Sequence, residues 1–287
     1  MDLQNHLYRS VLYIPGSNER ALDKARSLPT DAIIFDLEDA VAPDAKADAR
    51  KTLAKALGDG GYGNRVKIVR INALTSEWGF EDVRVLGKAG ADIVLLPKVN
   101  AYTDVDTLAD LLSPDLPIWT MMETPASVLN AQEIAAHRQV AGLVVGTNDL
   151  TKELGCRYRP DRMPVMSALQ MIVMAARAAR GVVALDGVYN KFRDNDGLKL
   201  ECEQGRDLGY DGKTLIHPAQ IDATNTAFAP TQSDIELAKR QIEAFEDSQK
   251  QGQGVAVVDG QIVENLHVVA AHRILAKALA IAKMAAE

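Results

Sequence analysis

The chain has 287 residues, 47% hydrophobic, 25% charged and 5% aromatic, with a formal charge of −7. That length suits two domains or one (β/α)8 barrel, which needs about 250 residues, and the aliphatic composition excludes a disordered or collagen-like chain. The acidic balance argues against a nucleic-acid binder, and no apolar run reaches the ~18 residues of a membrane span.

The N-terminal MDLQNHLYRS has neither the basic nor the apolar region of a signal peptide, and Cys156 and Cys202 have no paired spacing. Both features point to reduced thiols in a cytoplasmic chain. Short β-prone runs then follow in order at 10–14, 32–38, 66–72, 92–98, 117–123, 140–147, 182–189 and 212–218. Runs this apolar suit strands buried on both faces, as in a parallel sheet. Segments such as ERALDKARS and DAKADARKTLAKAL between them have the composition of surface helices. Eight strands alternating with helices predict a (β/α)8 TIM barrel over 1–229, with a doubly wound open sheet as the alternative.

A C-terminal helix–hairpin–helix extension over 230–287 is expected after the barrel. Ser233 to Glu236 has capping-box spacing before a long helix, and Asp259-Gly260 is a type I′ turn signal between two short strands. An Ala-rich helix closes the chain. Because the barrel does not need this extension to close, it reads as a lid or an oligomer contact.

Strand ends carry the chemistry. In a barrel the C-terminal ends of the strands meet at one mouth. Here those ends hold Asp36, Glu38 and Asp39, then Arg70, Lys98, Glu123, Asn148 with Asp149, Asp186, and His217. Glu123 and Asp149 follow adjacent strands with no sulfur or imidazole ligand beside them, which suits a hard cation such as Mg2+; two helix N-caps are the alternative. Three carboxylates at 36, 38 and 39 suit a shell around metal-bound water, or a solvated loop. Arg70 ends a very apolar strand, where it can meet a developing oxyanion or pair with that acidic cluster. Lys98 could form a Schiff base, but more simply partners a carboxylate. Arg20 and Lys24, four apart after Gly16-Ser17-Asn18, suit an anion. Lys46 and Arg50 repeat that spacing and read as routine surface charge.

Taken together, the segments RSVLYIPG, DLEDAV, VRIN, LPK, METP, GTNDL, GVYNKFRD and GYDGKTLIHPAQI resemble the citrate lyase beta-subunit-like family of the HpcH/HpaI aldolase superfamily, in order over nearly the whole chain. The resemblance implies a Mg2+-dependent TIM barrel acting on short acyl-CoA thioesters, with Mn2+ as a possible substitute. It implies Glu123 and Asp149 as metal ligands and Arg70 at the thioester oxygen. Tyr13, Arg20, Lys24, Ile216 and His217 fall at positions that hold the CoA substrate, and Asp36, Glu38, Asp39 and Lys98 surround the metal.

MMET, GTNDLTKELG and VVDGQIVENLH are most similar to the branch acting on (3S)-malyl-CoA. Homo-oligomers, trimeric or hexameric, whose C-terminal segment covers a neighbour's site are also implied. One departure stands out. Carbon–carbon lyases of the family carry a lid aspartate where this sequence has Glu264, after Ile262-Val263. The longer acid shifts the expectation to hydrolysis of (3S)-malyl-CoA into malate and CoA. The alternatives are a malyl-CoA or citramalyl-CoA lyase, a citrate lyase beta-type subunit, and a class I aldolase through Lys98.

Overall fold

A computed structural model describes residue 3 and residues 6–87 and 89–286. Eight strands form a closed parallel barrel in sequential order: β1 (Ser10–Pro15), β2 (Ala32–Asp36), β3 (Val66–Arg70), β4 (Ile93–Leu96), β5 (Ile118–Met122), β6 (Val140–Val145), β7 (Val183–Asp186) and β8 (Gly212–Leu215). Closure is by β8 on β1, with Ser10 beside Lys213 and Leu12 beside Leu215. The predicted (β/α)8 barrel is therefore present and the open sheet is not. Strands stop earlier than the apolar runs because their last residues have already turned into the loops of the mouth.

The helices of the barrel are α1 (Glu19–Ala25), α2 (Lys46–Asp59), α3 (Gly79–Leu86), α4 (Tyr102–Ala109), α5 (Pro125–Leu129), α6 (Ala131–Ala135), α7 (Thr147–Glu153), α8 (Met166–Ala178), α9 (Asn195–Leu208) and α10 (Ile221–Ala227). Side chains alternate along each strand. One set, including Val11, Ala32, Ile34, Val66, Ile68, Trp119 and Leu185, fills the barrel interior. The other, including Leu12, Ile33, Phe35, Val69 and Leu143, packs outward with helix residues such as Leu22, Leu53 and Ile172. Each Val, Leu, Ile or Phe among them contributes roughly 1.5–3 kcal/mol by burial. Trp119 takes the room of a missing neighbour: a Cβ at Gly142 would sit 2.6 Å from its indole. The β5–β6 register shifts between Ile118 and Trp119.

Residues 8–228 with residue 3 form one compact unit, and residues 229–286 with 6–7 form another. The second unit contains α11 (Gln232–Lys250), an antiparallel hairpin of β9 (Ala256–Val258) and β10 (Gln261–Val263), and α12 (Asn265–Ala286). Its small core is Phe245, Ala256, Val263 and Val268. Asp259 and Gly260 both have positive φ, 48° and 77°, as a type I′ turn demands. The cap of α11 lies two residues before the expected Ser233. Thr231 accepts from the Asp234 N–H at 3.1 Å, while the Asp234 carboxylate accepts from the Thr231 N–H at 2.9 Å. Among the described residues no helix is long and apolar enough to cross a membrane.

Candidate active site

Strand parity builds the site. The alternation that sends Val11, Ala32 and Ile34, Val66 and Ile68, and Trp119 into the barrel continues outward to Tyr13, Asp36, Arg70 and Glu123. These four ride above the apolar layers and line a cavity of about 340 Å3 at the mouth. Asp39, Met121, Gly146, Thr147, Asn148, Asp149, Val188 and Ile216 complete much of its wall.

Arg70 is buried and doubly bonded to Asp36, Nε to Oδ1 and Nη2 to Oδ2, each at 2.7 Å. Its Nη1 lies 2.9 Å from Glu38 Oε2 and donates to Asp39 Oδ2 at 3.3 Å. The Glu38 contact is close but off the hydrogen-bonding direction, so that oxygen is buried without a hydrogen-bond partner. The guanidinium also sits over the Tyr13 ring, 4.9 Å from its centre. Asp36 does more than neutralise, since its two oxygens accept from the Glu38 and Ala40 amides at 2.9 and 3.0 Å. Burial, with Asp39 adding and Arg70 opposing, pushes the Glu38 carboxyl up to about 8. Burial likewise raises the Tyr13 hydroxyl. Asp36, expected around metal-bound water, has both oxygens on Arg70 here, and Glu38 and Asp39 also stand against the guanidinium.

Glu123 follows β5 and Asp149 sits in the first turn of α7. Lys98 brings them to one point: its Nζ bonds Asp149 Oδ2 and lies 3.4 Å from Glu123 Oε1. The Lys98 backbone N–H also donates to Glu123 Oε1 at 2.7 Å, from a left-handed conformation with φ 55°. Non-glycine residues rarely adopt that conformation, and such strain concentrates at functional sites. Burial raises the Glu123 carboxyl, with Lys98 opposing. Gly146 lets the two loops meet, because a Cβ there would lie 2.5 Å from the Glu123 Cβ.

Two hard carboxylates converging on one positive group fit a Mg2+ site whose remaining ligands are water and substrate oxygens. Among the described residues, no group of three or more His, Cys, Asp or Glu side chains forms a protein cage for a metal.

The remaining expected residues divide. Ile216 is exposed at the cavity, and His217 beside it stacks on Phe192 with ring centres 4.6 Å apart. The His217 Nδ1 accepts from the Ala219 N–H at 3.1 Å, a capping role. Arg20 and Lys24 lie exposed on α1, outside the cavity lining. Glu264 belongs to the second unit, where its side chain is exposed and its backbone N–H donates to His267 Nδ1 at 3.0 Å.

Lys46 and Arg50 are a correction: both are buried, at 6% and 8% exposure, and are not surface charge. Their i,i+4 spacing looks solvated, yet that face of α2 packs inward. Gly146, Thr147 and Met121 were missed as wall residues. Gly146 and Thr147 open the GTNDL segment and Met121 directly precedes METP, but small and apolar residues give no chemical signal of their own.

A profile of the HpcH/HpaI aldolase/citrate lyase family matches residues 9–218. The chain belongs to that family. Within it, a (3S)-malyl-CoA thioesterase of Cereibacter sphaeroides is 58% identical over 283 residues, 99% of each chain. The citrate lyase subunit beta of Escherichia coli K12 is 34% identical, over 94% of this chain and 93% of the relative. Among solved structures, protein CitE from Mycobacterium tuberculosis in complex with magnesium, acetoacetate and coenzyme A matches with a TM-score of 0.80 at 28% identity. That match covers 96% of this family member and 99% of CitE. The resemblance in the motifs and the barrel of the HpcH/HpaI family are thus both found.

Proposed function

We propose that this enzyme hydrolyses (3S)-malyl-CoA to malate and CoA with the help of Mg2+. One observation carries the reading: Glu123 and Asp149 converge on a single positive charge in a cavity that Arg70 also lines. The 58% full-length likeness to a thioesterase, against 34% to a citrate lyase subunit, favours hydrolysis over carbon–carbon cleavage.

Glu123 and Asp149 would hold the metal, which when bound supplies Lewis-acid polarisation and a chelation point for the hydroxy-acid oxygens. Mn2+, of the same hard-oxygen class, is expected to substitute. Arg70 has donors on Nη1 that only the half-satisfied Glu38 and the exposed Asp39 oppose. A substrate carbonyl oxygen that takes Asp39's place gains a guanidinium already fixed on its other edge by Asp36. As water adds to the thioester carbon, that oxygen becomes negative, and such a donor is worth roughly 3–4 kcal/mol. Glu264 takes the water's proton, the carbon–sulfur bond breaks, and the CoA thiolate leaves and is reprotonated. Tyr13, Arg20, Lys24 and the Ile216–His217 segment hold the CoA portion, and Lys98 keeps the two metal carboxylates in register.

Further readings belong to the same proposal. The chain works as a homotrimer or hexamer whose 230–287 segment covers a neighbour's site. Two free cysteines agree with a reducing cytoplasm.

The test is a product assay. Purified protein with (3S)-malyl-CoA and Mg2+ should release malate and free thiol in equal amounts, and chelation should stop it. Acetyl-CoA and glyoxylate as the products, or full turnover in EDTA, would overturn the reading.

A further inference from the structure

Lys46 stands in an electrostatically wrong place for its helix. It is the first residue of α2, where the helix dipole favours an anion over a cation. It is also buried at 6% exposure, and among the described residues no carboxylate lies within ion-pair distance of its Nζ. What it touches explains both facts. Nζ donates to two successive carbonyls, Leu37 O at 2.7 Å and Glu38 O at 2.6 Å, and faces the Trp78 ring 5.3 Å from its centre. Three donors on one compact head meet two carbonyls and an aromatic face, a set that a planar guanidinium does not match.

Those two carbonyls belong to the loop that carries Glu38 and Asp39 to Arg70. The amides of the same loop are held from the other side, Glu38 N and Ala40 N by Asp36, and Leu37 N by the Arg70 carbonyl at 3.0 Å. The Leu37–Ala40 backbone is therefore clamped between an ammonium on its carbonyl edge and a carboxylate on its amide edge. Its side chains in turn stand 2.9 and 3.3 Å from Arg70 Nη1. The carboxylates that face Lys46 through space are Asp36, Glu38, Asp39 and Asp82, and they offset part of the burial that lowers its basicity.

We propose that Lys46 is a positioning residue of the active site: by clamping the Leu37 and Glu38 carbonyls it sets how closely Glu38 and Asp39 approach Arg70. It thereby sets how readily Nη1 turns to a substrate oxygen. This rests on the reading of Arg70 given above. The Trp78 ring brings the residue just before α3 onto the same ammonium, so the loops after β2 and β3 both meet at Lys46.

The experiment compares Lys46→Met, which keeps the stem and removes the donors, with the unaltered enzyme. Two measurements are made on protein shown to be folded: steady-state kinetics with (3S)-malyl-CoA, and amide hydrogen exchange of residues 37–41. The expected result is a fall in kcat of about tenfold or more with KM within about twofold, the pattern of an interaction that matters in the transition state. Exchange at 37–41 should be faster, and the strands of the barrel should stay unchanged. Lys46→Gln keeps two donors and should fall between the two, and it serves as the variant if Lys46→Met does not fold.

An unchanged kcat per folded molecule with unchanged exchange at 37–41 would overturn the proposal. So would faster exchange throughout the barrel, which would mark a purely structural lysine. If the unaltered enzyme turns over no malyl-CoA, the proposed function fails, while local exchange still decides whether the clamp exists.

Discussion

Glu38 shows that burial can hold a proton on a carboxyl even beside a guanidinium. The Asp36 carboxylate takes one edge of the guanidinium, through Nε and Nη2, and burial outweighs the pull of Arg70 on Glu38 and raises its carboxyl to about 8. Folded protein then keeps a proton on Glu38 between its ordinary 4.5 and about 8, where the unfolded chain has released it. The contribution of this group to stability is therefore greatest below pH 4.5 and lost as pH rises through 8. Glu38→Gln removes that dependence. Relative to the unaltered protein it should gain stability between pH 5 and 8, by at most about 5 kcal/mol, in urea unfolding without divalent metal. An equal difference at both pH values would contradict the assignment.

Asp36, Arg70 and Glu123 were visible in the sequence because each interrupts an apolar strand at its C-terminal end. Lys46 was not. Nothing in an Ala- and Lys-rich helix says which face turns inward, and the partners of Lys46 are backbone carbonyls that any sequence would supply.

At the scale of elements, the eight strands were readable because runs apolar on both faces have few other places in a folded chain. The interior of β8 was less so. Lys213 in GKTL is fully buried, where its Nζ meets Asp186 at 3.0 Å and Glu201 at 2.7 Å. Arg162 completes the group, with Nη1 2.6 and 2.8 Å from the two Asp186 oxygens and a left-handed backbone at φ 54°. Two cations and two anions from β7, β8, α9 and the segment before α8 thus neutralise one another behind the barrel wall. Sequence alone showed Asp186 as one more acid at a strand end and could not show the face it took. Lys213→Met should leave Asp186 and Glu201 with one cation between them. Breaking a buried set in this way costs about 3–5 kcal/mol, read as a lowered urea midpoint. A shift below about 1 kcal/mol would mean that Arg162 alone suffices.

For the whole molecule, the proposed assembly makes a distinct forecast. Glu123→Gln and Glu264→Gln variants should each be inactive. Mixed under conditions that exchange subunits, they should regain activity if residues 230–287 of one chain complete the site of another. No recovery after demonstrated exchange would confine Glu264 to its own chain.

One structural detail bears on how any such assay is read. CoA release is followed with thiol-reactive dyes, and the protein brings two thiols of its own. Cys202 is shielded in the core, with burial raising its pKa, whereas Cys156 is partly buried at the edge of the core, its Sγ 3.7 Å from the Thr151 carbonyl. Cys156 is the more accessible of the two thiols, so a substrate-free control with the dye separates up to one equivalent of the enzyme's own sulfur per chain from released CoA.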